Sequence, residues 1–127
     1  LTLTSQVDEG ITVSGDEEAL RRVLEILLDN AQKYSSPGGE TQVTLHRRGR
    51  NHCALTVANQ GEPIPPEARR LIFQRFYRAD PARSRNGSFG LGLSIAEGIV
   101  AQHHGTIDVT CAGGFNRFRA ELPCQQE

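Results

Sequence analysis

Closely spaced glycines in the segment NGSFGLGLSIAEGIV suggest a place where a ligand approaches bare main chain. Gly87, Gly90 and Gly92 run directly into an apolar stretch, although glycine costs roughly 0.5–1 kcal/mol relative to alanine inside a regular element. The spacing is not that of a dinucleotide fingerprint, because Ile95 stands where the third small residue belongs, nor that of a P-loop, because Leu93 replaces the lysine. Two interpretations remain: a flexible loop, or a glycine loop entering a helix N-terminus, where free N–H groups and the helix dipole favour an anion.

Polar residues elsewhere in the chain have the chemistry to complete a phosphate site. Asn30 and Lys33 in LLDNAQKYS lie about one turn apart along the edge of a helix face, and Asn59 and Gly61 in LTVANQGEPIP lie at a strand end. An amide oxygen suits Mg²⁺, which takes further oxygens from water and substrate phosphates, and lysine can reach those phosphates as a point charge. Asn30 alone would more often be a hydrogen-bonded helix residue, but in combination these residues predict a site for magnesium and phosphate.

The composition restricts the class of protein. A chain of 127 residues with 37% hydrophobic and 23% charged residues is typical of one soluble globular domain, here spanning 1–127. The net charge of −1, with interspersed signs, argues against a nucleic-acid surface. No apolar run approaches the roughly 20 residues of a membrane span, and three cysteines without a CxxC pair favour reduced thiols. Because the chain starts on Leu1 and not on methionine, we expect it to be a piece of a longer protein.

The hydrophobic pattern predicts the helices and strands that would position these residues. The segment SGDEEALRRVLEILLDNAQKYSSPGG has apolar residues at helical spacing, with Asp16 or Ser14 as N-cap. ETQVTLHRR and HCALTVANQG alternate and are separated by GRN, which predicts an antiparallel hairpin. RRLIFQRFYRAD predicts a short helical turn, a third helix runs from Leu91 to the HHG at 103–105, and GTIDVTCAGG and FNRFRAELP form a second strand pair. This grouping predicts an α+β fold, a two-layer sandwich.

The ordered segments LLDNAQKYS, NQGEPIP, FQRFYRAD and GSFGLGLSIAEGIVAQHHGTI resemble the N, G1, F and G2 boxes of a known family. That family is the catalytic and ATP-binding domain of bacterial sensor histidine kinases, whose superfamily includes gyrase, mismatch-repair and chaperone ATPases. The resemblance covers the chain from about Gly15 to Pro123, and RFYRADPARSR is most similar to the copper and heavy-metal sensor subgroup. It implies the Bergerat fold, in which a mixed sheet of about five strands packs on about three helices.

The resemblance implies a role for residues in three of these boxes. Asn30 would hold Mg²⁺, Lys33 would contact phosphate and Tyr34 would line the nucleoside pocket. Asn59 stands where the family usually has aspartate, and its Oδ1 can still accept a hydrogen bond from the adenine amino group. Gly61 would let the main chain approach the base.

The resemblance also implies a lid over the nucleotide. Ile64 would pack against the base, and Arg78 and Arg85, with Arg83, would flank a mobile ATP lid in which at least one of them steadies the γ-phosphate. The lid hinge and the cradle for the triphosphate would be formed by Gly87, Gly90, Leu91, Gly92 and Leu93.

The function implied is phosphoryl transfer from Mg-ATP to a histidine on a separate dimerisation and phosphoacceptor domain, in two-component signalling with a response regulator. The acceptor must come from elsewhere, because none of the four histidines here lies in a segment like the family's phosphoacceptor helix. The full-length kinase is expected to be a homodimer in the inner membrane. This domain would lie in the cytoplasm and contact neither the membrane nor nucleic acid directly.

Departures from the family pattern leave alternatives open. Ile26 stands four residues before Asn30, where kinases usually have asparagine and related ATPases a glutamate that activates water, so weak ATP hydrolysis is expected. Pro63 replaces the second glycine of the G1 box, and Phe115-Asn116 replaces a glycine-threonine pair near the adenine. The alternatives are a nucleotide-binding regulatory module without catalysis and another ATPase of the superfamily, against which the missing glutamate argues.

Overall fold

The computed structural model describes residues 2–7, 11–12, 15–74 and 92–126. The helices in these residues are α1 (Glu17–Tyr34) and α2 (Gly92–Gln102), with 3₁₀ turns at Pro66–Ala68 and Leu71–Phe73. The strands are β1 (Thr2–Val7), β2 (Ile11–Thr12), β3 (Glu40–Arg48), β4 (His52–Gln60), β5 (Thr106–Ala112), β6 (Phe115–Pro123) and β7 (Gln125–Gln126). The predicted first and third helices and both predicted strand pairs are confirmed. Neither helix in this part of the chain is long and apolar enough to cross a membrane.

Within the described residues, the main sheet has five strands in the order β1-β3-β4-β6-β5. β1 runs parallel to β3 and the other neighbours are antiparallel, so the sheet is mixed, as the resemblance implies. β2 and β7 form a separate two-stranded sheet. The hairpin signals did not predict β1, because a parallel neighbour is reached through a long crossover, here α1, and not through a tight turn.

Helix α1 forms because its N-terminus is capped and its apolar residues recur on one face. Asp16 Oδ1 accepts a hydrogen bond from the Ala19 main-chain N–H at 3.2 Å, which confirms one of the two predicted caps. Val23, Leu27 and Ala31 are fully buried along the opposite side of the helix from solvent. The edge of this face, which carries the predicted site residues, is half-buried.

The core lies between the helices and one face of the main sheet. Phe118 from β6 is fully buried and meets Phe73 edge-on, with ring centroids 6.3 Å apart. Other buried core side chains from helices and strands are Val23, Leu27, Val57, Ala96, Val100, Ala120 and Leu122. A helical layer on one face of a mixed sheet is the predicted α+β two-layer sandwich.

Helix α2 ends in a Schellman motif whose left-handed residue is a histidine. The Gly105 N–H donates to the Val100 carbonyl at 2.9 Å, and the His104 N–H donates to the Ala101 carbonyl at 3.0 Å. His104 has φ of 64°, a conformation that costs a residue with a Cβ atom roughly 1 kcal/mol. The sequence predicted where the helix ends, but His104, and not the glycine that follows, has the positive φ.

Replacing His104 by glycine is expected to raise the free energy of unfolding by about 0.5–1 kcal/mol, because glycine adopts positive φ without strain. Urea unfolding followed by circular dichroism measures the change. His104→Ala is the matched control, since it removes the exposed imidazole but keeps the Cβ atom, and we expect it to leave stability close to wild type. Equal stabilisation by both variants would contradict the backbone explanation.

His103 joins the ends of the two helices. Its Nε2 accepts a hydrogen bond from the Asp16 main-chain N–H at 3.1 Å, and its Nδ1 donates to the Ile99 carbonyl at 2.8 Å. One ring nitrogen thus accepts a hydrogen bond while the other donates one. A Cβ atom at Gly15 would overlap the ring, so the small residue is needed for this contact. The C-terminus of α2 is tied in this way to the N-terminus of α1.

The cysteines in the structure are free thiols. Burial raises the pKa of the Cys53 thiol to about 12, and the neighbouring Cys124 adds to the increase. At neutral pH the Cys53 thiol is therefore protonated and a poor nucleophile. Cys111 is separate from this pair and lies on β5.

Candidate functional site

Polar side chains form a row across four neighbouring strands at one end of the main sheet. Thr41 on β3 is paired with Asn59 on β4. Asn116 on β6 is paired with Asn59 on one side and with Cys111 on β5 on the other. Paired residues share a face of the sheet, and Phe118, two residues beyond Asn116, lies on the same face in the buried core. We call Thr41, Asn59, Asn116 and Cys111 the polar row.

Asn59 is held in one orientation, and one of its buried atoms has no partner within the described part of the chain. Its side chain is 1% exposed, and its Nδ2 donates to the main-chain carbonyl of Tyr34 at 3.3 Å, at the C-terminal end of α1. Its Oδ1 has no hydrogen-bond partner among the described residues. A buried acceptor without a donor costs about 1–3 kcal/mol, so this atom calls for a ligand that brings one. An adenine amino group fits, which is the role that the resemblance implies for Asn59.

Gly61 allows the turn after β4 to approach the end of α1. A Cβ atom at this position would lie 2.7 Å from the Tyr34 carbonyl oxygen and 3.2 Å from Asn59 Nδ2. The Gly61 N–H donates to the Gly114 carbonyl at 3.1 Å, which also joins the turn to the β5–β6 hairpin. The close approach that requires glycine is therefore to the Tyr34 carbonyl, and a side chain here would disturb the contact that orients Asn59.

Asn116 positions the loop that follows Gly61. Its Nδ2 donates to the Glu62 carbonyl at 2.8 Å, and its Oδ1 accepts from the Ile64 main-chain N–H at 3.2 Å. The Cys111 thiol donates to the same Oδ1 at 2.9 Å. In the sequence, Asn116 stood out only as a departure from the family pattern. Its role depends on the pairing of β6 with β4, and no local motif predicts that pairing. It holds Ile64 half-buried beside the polar row.

Asn30 and Lys33 lie together on the half-buried edge of α1, as predicted. Lys33 Nζ pairs with Asp29 Oδ2 at 3.1 Å. The Asp29 side chain is 63% exposed, and an ion pair of this kind on a helix surface contributes only about 0.3–0.5 kcal/mol. The pair is therefore weak enough for Lys33 to turn toward a phosphate. Tyr34, half-buried, ends the same helix.

The N-terminus of α2 lies against the same edge of α1. A Cβ atom at Gly92 would be 3.5 Å from Ile26 Cγ2, and Ile26 precedes Asn30 by one turn. The first main-chain N–H groups of α2, which have no partner within the helix, thus lie near the edge of α1 that carries Asn30. Leu93 packs against the core, so its contribution to a phosphate cradle would come from its main chain.

The remaining predicted site residues lie outside the described residues. They are Arg78, Arg83, Arg85, Gly87, Gly90 and Leu91.

A mixed five-stranded sheet covered on one face by helices, with a buried amide oxygen at a strand end that has no partner among the described residues, defines an ATP-binding sandwich of the Bergerat type. The chain belongs to the Histidine kinase-, DNA gyrase B-, and HSP90-like ATPase family, whose model matches residues 15–126.

Individual relatives place the chain among sensor histidine kinases. It is 50% identical over 107 residues to the signal transduction histidine-protein kinase/phosphatase MprB of Mycolicibacterium smegmatis, over 83% of this chain and 22% of that protein. The solved structure of a mycobacterial sensor histidine kinase MprB superposes with a TM-score of 0.87 at 32% identity, covering 99% of this chain and 83% of that one. Full-length ShkA in complex with AMPPNP superposes with a TM-score of 0.84 at 26% identity, covering 99% of this chain and 26% of that one. The chain thus spans about a fifth of the length of its curated relative.

Proposed function

We propose that this chain binds Mg-ATP and transfers the γ-phosphoryl group to a histidine on a separate dimerisation and phosphoacceptor segment. The observation that carries the proposal is Asn59 Oδ1, a buried acceptor at the end of the sheet without a donor among the described residues. An adenine amino group is such a donor. The similar structure of ShkA contains AMPPNP, an adenine nucleotide, which supports the same ligand class for this chain.

In this proposal the adenine base lies at the polar row. Asn59 accepts from its amino group, and the Nδ2 bond to the Tyr34 carbonyl prevents the amide from turning its donor side toward the base. Ile64 packs against the flat face of the base, held in place by Asn116 and by the Arg69 Nε atom, which donates to the Ile64 carbonyl at 3.2 Å. Purine selection and orientation follow from these contacts.

In the same proposal the nucleotide phosphates lie between Asn30, Lys33 and the N-terminus of α2. The first N–H groups of α2 and the positive end of its dipole attract an anion without a lysine in the loop. Asn30 is the residue that would hold Mg²⁺, together with water and phosphate oxygens, and the ion would neutralise charge on the phosphates. Lys33 supplies a positive charge from the same helix edge.

The residues of this chain act by positioning and not by acid–base chemistry. In the transfer step the acceptor imidazole nitrogen forms a bond to the γ-phosphorus as the bond to the bridging oxygen of ADP breaks, and ADP leaves. Ile26, beside Asn30 and Gly92, has no group that can activate water, so hydrolysis should be slow compared with transfer. His103 uses both ring nitrogens within the fold, which leaves it unsuited as an acceptor.

Further parts of the proposal concern the whole protein. The dimerisation and phosphoacceptor helices of the same kinase would be the direct partner, a response regulator the indirect one, and the full-length kinase a homodimer. We place this domain on the cytoplasmic side of a membrane sensor. The resemblance of RFYRADPARSR to the copper and heavy-metal sensors stays a prediction, because the curated relative described above is named MprB.

Phosphoryl transfer is tested by mixing this chain with γ-labelled ATP, Mg²⁺ and the dimerisation and phosphoacceptor segment of its own kinase. We expect an acid-labile, alkali-stable label on that segment, none without Mg²⁺, and none on this chain alone. Binding of nucleotide without any label on the segment would instead support a regulatory module. The observation that favours this second candidate is Ile26 in place of a polar residue beside Asn30.

A further inference from the structure

Thr41 has a buried hydroxyl with no partner in the part of the chain that the structure describes. The residue is 3% exposed, and its Oγ1 has no hydrogen bond there. Valine would fill the same volume without a polar atom to desolvate, and the neighbouring strand positions on this face, such as Val43, are apolar. An unpaired buried hydroxyl costs about 1–3 kcal/mol, so its presence calls for a partner outside the described fold.

The hydroxyl of Thr41 lies beside Asn59 Oδ1, the second atom of the polar row that has no partner in the described ranges. Thr41 and Asn59 are directly paired on β3 and β4, and the Cβ atoms of such a pair are roughly 4.5–5.5 Å apart on one face of the sheet. Thr41 Oγ1 and Asn59 Oδ1 are thus neighbours at the same end of the core. One ligand can meet both.

Asn116, on the other side of Asn59, cannot serve this ligand in the same way. Its Nδ2 is bonded to the Glu62 carbonyl, and its Oδ1 accepts from the Ile64 N–H and from the Cys111 thiol. Both ends of the amide are therefore committed to the loop and the neighbouring strand. Within the polar row, Thr41 is the residue beside Asn59 with a hydroxyl that can still donate.

We propose that Thr41 is a second base-recognition residue, which donates a hydrogen bond to the ring nitrogen N1 of adenine, directly or through one ordered water. The inference rests on the proposed function, because it requires an adenine nucleotide at the polar row. Adenine presents an amino donor next to the N1 acceptor, which complements the Asn59 acceptor and the Thr41 donor. Guanine presents a carbonyl in place of the amino group, and that carbonyl would face Asn59 Oδ1, which the Tyr34 carbonyl prevents from turning away. Asn59 therefore discriminates between the purines, and Thr41 adds affinity.

The test is calorimetric titration of the 127-residue chain with ADP in the presence of Mg²⁺. Thr41→Val is expected to lower the affinity about tenfold, the effect of one hydrogen bond, while its urea midpoint stays at or above that of wild type. Thr41→Ser keeps the hydroxyl and is expected to retain most of the affinity. Undiminished ADP binding by Thr41→Val would overturn the inference and leave the proposed function standing.

A ligand analogue tests the same contact without relying on the fold of a variant. The nucleotide 1-deaza-ADP has carbon in place of N1, and we expect wild type to bind it about tenfold more weakly than ADP. For Thr41→Val the two nucleotides should bind alike, because the partner hydroxyl is gone. Equal binding of both by wild type would overturn the inference. Failure of wild type to bind any adenine nucleotide would overturn the proposed function, and the inference with it.

Discussion

Replacing Asn30 by alanine is expected to lower the affinity for Mg-ADP at least about tenfold and to remove the dependence of that affinity on Mg²⁺. In our proposal the Asn30 amide oxygen is the ligand that α1 would offer to the metal, and the substitution adds no new charge beside the proposed phosphate site. Alanine is the best helix former, and Asn30 is only half-buried, so α1 and the core should be preserved. Calorimetric titration with ADP, in Mg²⁺ and again in excess chelator, measures both quantities.

Gln32→Ala is the matched control for Asn30. Gln32 is an exposed amide on the same helix, and two residues along an α-helix turn its side chain about 200° away from that of Asn30. We expect the control to bind Mg-ADP as wild type does. If Asn30→Ala kept the full difference between the affinities in Mg²⁺ and in chelator, Asn30 would have no part in holding the metal.

Replacing Gly105 by alanine is expected to lower the free energy of unfolding by about 3 kcal/mol. The added Cβ atom would overlap the main-chain carbonyl oxygen of Glu121, and it would lie 2.9 Å from Leu122 Cδ2 and 3.0 Å from Val100 Cγ1. The main chain has little room to yield, because the Gly105 N–H is bonded to Val100 and the next residue, Thr106, is paired with Glu121 in the sheet. Urea unfolding measures the loss.

Gly98→Ala is the control for Gly105→Ala, since it makes the same chemical change seven residues earlier in α2. A Cβ atom at Gly98 meets nothing within 4 Å, and the residue is exposed in the helix. Alanine there is expected to raise stability by about 0.5–1 kcal/mol, because it favours the helix more than glycine does. Opposite signs for the two variants are the expected outcome, and a Gly105→Ala protein as stable as wild type would contradict the packing shown here.

Much of this domain was determined by local sequence. The apolar spacing of Val23, Leu27 and Ala31 specifies α1, and Asp16 specifies where it begins. Alternation and a three-residue turn specify the β3–β4 hairpin. These predictions succeed because helices, caps and hairpins depend on residues a few positions apart. The family could also be recognised from the sequence, because the four boxes are short motifs that occur in a fixed order. This prediction agrees with the family match over residues 15–126.

The roles of the individual site residues could be predicted only in part from the sequence. Asn59 was expected to accept from adenine, and the structure adds that its Oδ1 has no partner among the described residues and that its Nδ2 is bonded to the Tyr34 carbonyl. The metal and phosphate roles of Asn30 and Lys33 stay predictions that the experiments above address. Asn116 was noted only as a departure, and its task of holding the loop at Ile64 became visible once β6 was paired with β4.

Sequence by itself determined the helices, the hairpins and the class of ATPase, because each depends on short spacings or on an ordered set of motifs. Only the tertiary structure decided the polar row, the parallel pairing of β1 with β3 and the link between His103 and Asp16. Thr41 and Asn59 are 18 positions apart, and His103 and Asp16 are 87 apart. Such contacts depend on strand register and helix packing, in which a shift of one residue would turn every side chain of a strand to the other face. No local sequence pattern determines the strand register. The register is determined by burial of the whole core.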